Sequence, residues 1–107
     1  MAFDYRRKLE EIRQLLDSGG EEAYVADIDK AVGGDDKSLD AFLVSNVLWG
    51  GSGSIPDNCL LDNPPLRKRL MQALIELGNA QIADNQVNPR THMWASTFQK
   101  WIDDGIV

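Results

Sequence analysis

Apolar residues recur along this chain at spacings of three and four, the period of one face of a helix. Tyr5, Leu9, Ile12, Leu15 and Leu16 open the pattern, with Arg6, Lys8, Glu10, Glu11 and Arg13 on the other faces, so the first segment reads as an amphipathic helix. Ser18-Gly19-Gly20 stops it, because glycine adopts the left-handed conformation that closes many helix C-termini. A second helix is predicted from Glu21 to Val32, with Tyr24, Val25, Ile28, Ala31 and Val32 on one side. Two glutamates stand in its first turn, where the helix dipole favours anions, and Gly33-Gly34 ends it. Asp36 and Ser38 are the expected N-caps of a third helix, carried by Leu39, Phe42, Leu43, Val47 and Leu48 and running to about Trp49.

From Gly50 to Asn63 the chain holds three glycines, two serines, a proline and several Asx residues, a composition that favours a long loop. Pro64-Pro65 suits the first turn of a fourth helix, in which Leu66, Leu70, Ala73, Leu74 and Leu77 form a face reaching to about Ala83. After a polar turn, Asn88-Pro89 repeats the cap-then-proline start ahead of Met93, Trp94, Phe98, Trp101 and Ile102, and this fifth helix is expected to end near Asp104-Gly105. No stretch alternates at period two with β-branched residues. The predicted fold is therefore all-α, a compact bundle of about five short helices in one domain over residues 1–107, with little or no sheet.

Charge changes the picture more than bulk composition does. The formal net charge is −6, which argues against binding a nucleic-acid backbone. Basic and acidic residues cancel in residues 1–20, whereas residues 21–62 carry two lysines against nine carboxylates. Asp27, Asp29, Asp35, Asp36 and Asp40 lie in that block and are the candidate surface for a basic protein partner. Arg67-Lys68-Arg69 is too small a cluster for a nucleic-acid footprint and reads as a counterpart of the acidic middle, within the chain or across a dimer. Apolar runs of three residues are too short to span a bilayer, and one cysteine with no export-type start points to a reducing cytoplasm.

The densest local signal is the run from Leu48 to Asp57, which reads Leu-Trp-Gly-Gly-Ser-Gly-Ser-Ile-Pro-Asp. Glycines let the main chain approach a ligand, so Trp49, Gly50, Gly51, Ser52, Gly53, Ser54 and Asp57 form a candidate loop for a small molecule or anion. The pattern is neither a phosphate loop, since no strand precedes it and no lysine follows, nor a dinucleotide fingerprint, since the third glycine is missing. The competing structural reading has Gly50 capping a helix, Gly51 and Gly53 reversing the chain, and Trp49 with Ile55 fastening the loop to the core. This run, followed by Leu60-Leu61 and a leucine-rich helix, resembles a group of small uncharacterised bacterial helical proteins in which a helix ends in a Trp-Gly-Gly-x-Gly-Ser turn. The resemblance implies no activity and no catalytic residue.

Other chemistry is thinly represented. Cys59 and His92 have no spacing that suggests a nucleophile and its base, and Cys59 before Leu60-Leu61 reads as a small core residue. One His and one Cys cannot assemble a zinc site unaided, and Asp27, Asp29, Asp35 and Asp36 lack the central glycine and closing glutamate of a calcium loop. No catalytic residue, metal or cofactor is therefore expected. The favoured reading is a non-enzymatic interaction domain with an acidic surface, such as an immunity or antitoxin-like protein. A small-molecule or anion-binding protein using the glycine loop is the alternative, and a homo-oligomer built on the aromatic surface of the last helix is a third.

Overall fold

A computed structural model describes residues 2–106. The carboxylate of Asp4 accepts a hydrogen bond from the Arg7 backbone N–H and starts α1 (Tyr5–Ser18), whose Leu9, Ile12, Leu15 and Leu16 are all buried. Gly20 turns the chain at φ 80° into α2 (Glu22–Val32), which packs on α1 and buries Val25, Ile28 and Ala31. Only Glu22 stands in the first turn of α2, since Glu21 is the N-cap residue and its side chain makes no capping bond.

The third predicted helix is two. Asp35, not Asp36 or Ser38, caps α3 (Asp36–Leu43) by accepting from the Ser38 N–H at 2.8 Å. The chain then breaks at Val44 and Ser45 before a single turn, α4 (Asn46–Trp49). Side chains further along the chain take the carbonyls there: the Trp49 indole, six residues on, and the distant Gln81 donate to the Leu43 oxygen, and Asn88 donates to that of Val44. With those acceptors engaged and the Ser45 hydroxyl donating back to the Phe42 carbonyl, the chain turns instead of continuing as a helix. The predicted loop also holds one helical turn, α5 (Ile55–Asn58), with Pro56 at a position where its missing N–H costs nothing.

Asn63 accepts from the Leu66 N–H to cap α6 (Pro64–Ala83), the central helix of the bundle, which packs against α1 and α7. Its apolar residues cover a wide arc because it has neighbours on several sides. Gly78 lies where α7 and the Trp49 ring close in: a Cβ there would stand 3.1 Å from both Ala95 Cβ and Trp49 Cη2. The last helix, α7 (Thr91–Asp103), begins two residues later than the Asn88-Pro89 signal suggests. Asn88 folds into a turn instead, accepting from the Arg90 N–H while its own N–H bonds Thr91 Oγ1.

Among the described residues there is no strand, and the seven helical elements form an all-α bundle. No helix among the described residues is long and apolar enough to cross a membrane.

Candidate functional site

Two helices carry a second stripe beside the one that faces the core. On α2 it is Asp27, Lys30 and Ala31, spaced i, i+3, i+4; on α3 and the break that follows it is Ser38, Ala41, Phe42 and Ser45, spaced i, i+3, i+4, i+7. These stripes, with Val47, line an open groove of 410 Å³. The lining is mostly apolar. Ala31 and Ala41 keep the walls low, Phe42 and Val47 are only half-buried, and Asp27 and Lys30 stand at the rim. This volume falls within the ~300–1,000 Å³ typical of binding clefts.

The five carboxylates singled out in the sequence do not share one face. Asp27 lines the groove; Asp35 does not, but it accepts from the backbone N–H of Ser38, which does. Hydrogen bonds from the Ser38 backbone and hydroxyl hold the Asp35 carboxyl below the usual carboxylate range, so it stays charged. The other three are exposed but bonded to side chains of other segments. Asp29 pairs with the Arg13 guanidinium of α1, whose hydrogen bonds also lower its pKa. Asp36 pairs with Arg6 at 3.0 Å, and Asp40 accepts from Gln86 Nε2 at 2.9 Å. Near Asp40 the Tyr5 hydroxyl donates to Asp84, and burial together with the two carboxylates raises the phenol's pKa.

The basic counterparts are also redistributed. Arg67 does not reach the acidic middle through a carboxylate; its Nη1 donates to the Cys59 carbonyl at 2.8 Å, and partial burial lowers its pKa. Lys8 bridges Glu11 on its own helix and Glu76 on α6. Among the described residues Glu21, Glu22, Asp27, Asp35, Asp40, Asp57 and Asp62 make no ion pair, so most of the negative charge of residues 21–62 is uncompensated.

The glycine loop is fastened into the fold at several points. Trp49 is fully buried and its indole N–H bonds both the Leu43 carbonyl and Gln81 Oε1, while Ile55 is fully buried beside it in the same core. Gly50 is wedged so closely that a Cβ would lie 2.6 Å from the Asn46 carbonyl oxygen. A Cβ on Gly51 would touch the Arg90 guanidinium at 3.3 Å, and the carbonyl of Gly53, at φ 91°, accepts from the Tyr24 hydroxyl. Ser52 and Asp57 are exposed, whereas Ser54 is buried with no hydrogen-bond partner for its hydroxyl. The groove between α2 and α3 is lined by other segments.

Cys59 is buried, and desolvation, with Glu21 beside it, pushes its thiol up to about 12, the opposite of what an attacking thiolate needs. His92 is exposed on the first turn of α7. Trp94, Phe98 and Trp101 cluster along α7 with centroids 5.3 to 6.3 Å apart, Trp94 stacked on Phe98 and edge-on to Trp101, with Phe98 buried and the two tryptophans half-buried.

Phe42 and Val47 pack against the core, as their spacing predicts, and also line the groove. The signal for the groove was present: Ser38, Ala41, Phe42 and Ser45 repeat at helical spacing, displaced from Leu39 and Leu43. Compared with known proteins, the chain matches no family model, no curated protein and no solved structure.

Proposed function

We propose that this chain is a protein-interaction domain that receives a basic partner on the face formed by α2 and α3. The observation that carries the reading is the apolar groove between those helices, with Asp27 in its lining and Asp35 bonded to the lining residue Ser38, in the part of the chain where carboxylates outnumber cations and mostly lack ion pairs. Apolar surface supplies the association energy, and the surrounding negative potential speeds encounter with a cationic surface and selects against acidic ones. A role of the immunity or antitoxin kind, in which a small acidic helical domain occupies the basic cleft of a toxin such as a nuclease, fits this arrangement. The glycine loop supports a ligand site less well, since Trp49, Gly50 and Ser54 are buried in the packing and the groove lies elsewhere.

The test is affinity capture from the organism that makes the chain, with the wild type and a D27N/D35S variant, each at low and high salt. Ser keeps the cap of α3 while removing its charge. Capture of a basic protein that weakens with salt, with an association rate about tenfold lower for the variant, is the expected result. Equal capture by the variant, or partners with no basic bias, refutes the proposal.

A further inference from the structure

We propose that the outer edge of the glycine turn, residues 51–53, forms with Arg90 a binding site for the phosphate group of a small phosphate ester. The site shares no residue with the α2–α3 groove and stands or falls separately from the docking face.

The turn spends its acceptors and keeps its donors. The Gly51 carbonyl accepts from the Ser54 N–H at 3.0 Å, and the Gly53 carbonyl accepts from the Tyr24 hydroxyl at 2.9 Å. The N–H groups of Gly51, Ser52 and Gly53 have no acceptor among the described residues, and Ser52 and Gly53 are exposed. Successive main-chain N–H groups left open in a turn create a local positive potential that an anion can satisfy. Ser54, next in the chain, is 1% exposed and its hydroxyl has no partner, so a further donor is unused directly beside the turn.

Arg90 adds a full charge. Its guanidinium lies so close that a Cβ on Gly51 would stand 3.3 Å from Nη1. Gly51 does not adopt a positive φ, so what its missing side chain provides is room for that guanidinium and not backbone freedom. Among the described residues the Arg90 side chain enters no ion pair, although the chain carries a net charge of −6. A run of hydrogen bonds fixes the two halves of the site together. The Gly50 N–H donates to the Asn46 carbonyl at 2.8 Å, Asn46 Oδ1 accepts from Asn88 Nδ2 at 3.1 Å, and Asn88 Oδ1 accepts from the Arg90 N–H at 2.9 Å. With Asn88 buried, the backbone on both sides of the site is set before any ligand arrives, which lowers the ordering cost of binding. A planar guanidinium fork and main-chain donors from a second segment can engage several oxygens of one group, which suits a phosphate better than the two oxygens of a carboxylate. The exposure of Ser52, Gly53 and Arg90 leaves space for the ester's remaining atoms.

The experiment titrates glycerol phosphate, inorganic phosphate and acetate separately into the ¹⁵N-labelled protein at constant ionic strength. It is repeated with R90Q and with R69Q, which removes the same charge from exposed Arg69 of α6. The Arg90 side chain caps nothing, so R90Q leaves the start of α7 as it is. The expected result is a saturable shift of the Gly51, Ser52 and Gly53 amide signals with both phosphates, the ester binding at least as tightly as the free ion, and acetate binding more weakly than either. R90Q should weaken phosphate binding at least about tenfold, as loss of a charged hydrogen-bonding partner does, and R69Q less than about twofold. No saturable shift at those amides, or R90Q binding like the wild type, overturns the site. An equal loss in R69Q overturns it too, since the attraction would then belong to the whole surface. Acetate binding as tightly as phosphate overturns the phosphate assignment, and inorganic phosphate binding while the ester does not overturns the ester.

Discussion

Replacing Gln81 probes the polar link that holds the middle of the chain to α6. Its side chain is fully buried; Oε1 accepts from the Trp49 indole, while Nε2 donates to the Leu43 carbonyl at 2.7 Å and the Gln86 carbonyl at 2.9 Å. Gln81→Leu preserves volume and leaves the indole bonded to Leu43, so only the Gln86 oxygen loses its side-chain donor and the cost should be about 1–2 kcal/mol. Gln81→Glu differs from the native residue by one group yet should be worse, because its ionised form directs an acceptor at two carbonyl oxygens. The carboxyl escapes by staying protonated, which costs about 1.4 kcal/mol per pH unit above its ordinary value near 4.3, or about 3.7 kcal/mol at pH 7 and about 1 kcal/mol at pH 5. Its folded pKa is thus raised above its unfolded one, so stability is retained below about pH 4.3 and is lost as pH rises toward the folded value. Urea unfolding of the wild type and both variants at pH 7 and pH 5, followed by circular dichroism, measures this. A Glu variant as stable as the Leu variant at pH 7, or a gap between them that does not narrow at pH 5, would refute the assigned network.

Two other expectations concern the loop and its neighbour. Gly53→Ala meets open space and should cost only the left-handed backbone strain of about 1–2 kcal/mol, whereas Gly50→Ala drives a methyl against the Asn46 backbone and should cost clearly more; similar denaturation midpoints for the two would contradict the packing. Cys59 should resist a thiol-specific disulfide reagent at pH 8 in the folded protein and react once urea unfolds it. Because its folded pKa is raised, the protonated thiol's contribution to stability should decline as pH climbs above about 9 toward 12, and rapid labelling of the native protein would show this assignment to be wrong.

The helical faces were legible because a period of three and four needs only the chain itself. Leu9, Ile12, Leu15 and Leu16 on α1, and Leu70, Ala73, Leu74 and Leu77 on α6, are buried as their spacing requires. The break at Val44 was not legible, since the groups that capture the carbonyls around it come from Gln81 and Asn88, 38 and 44 positions downstream. The cap of α3 was misplaced among Asp35, Asp36 and Ser38, three competent residues within four positions whose roles only the backbone angles separate. The candidate surface was partly legible. A net charge can be counted from sequence, but which carboxylates are neutralised depends on Arg6 and Arg13 lying opposite α2 and α3, and that is decided by the α1–α2 packing.

The way residues 36–63 are joined to the rest has a consequence for how the molecule opens. α1 with α2, and α6 with α7, are hairpins of sequence neighbours, while the short helices of the middle share the core with both and are tied to them by separate side-chain bonds, among them Asp36 with Arg6, Gly53 with Tyr24, Cys59 with Arg67, and the Trp49, Gln81 and Asn88 bonds. Such a segment is suited to unfold locally as one unit at a free energy below that of the whole domain, exposing its amides to exchange while both hairpins persist. One wall of the groove belongs to this unit and the other to the α1–α2 hairpin. A molecule bridging the two walls would therefore raise the protection of α3 toward the global value, so that occupancy of the site is written into the exchange rates of residues it never touches.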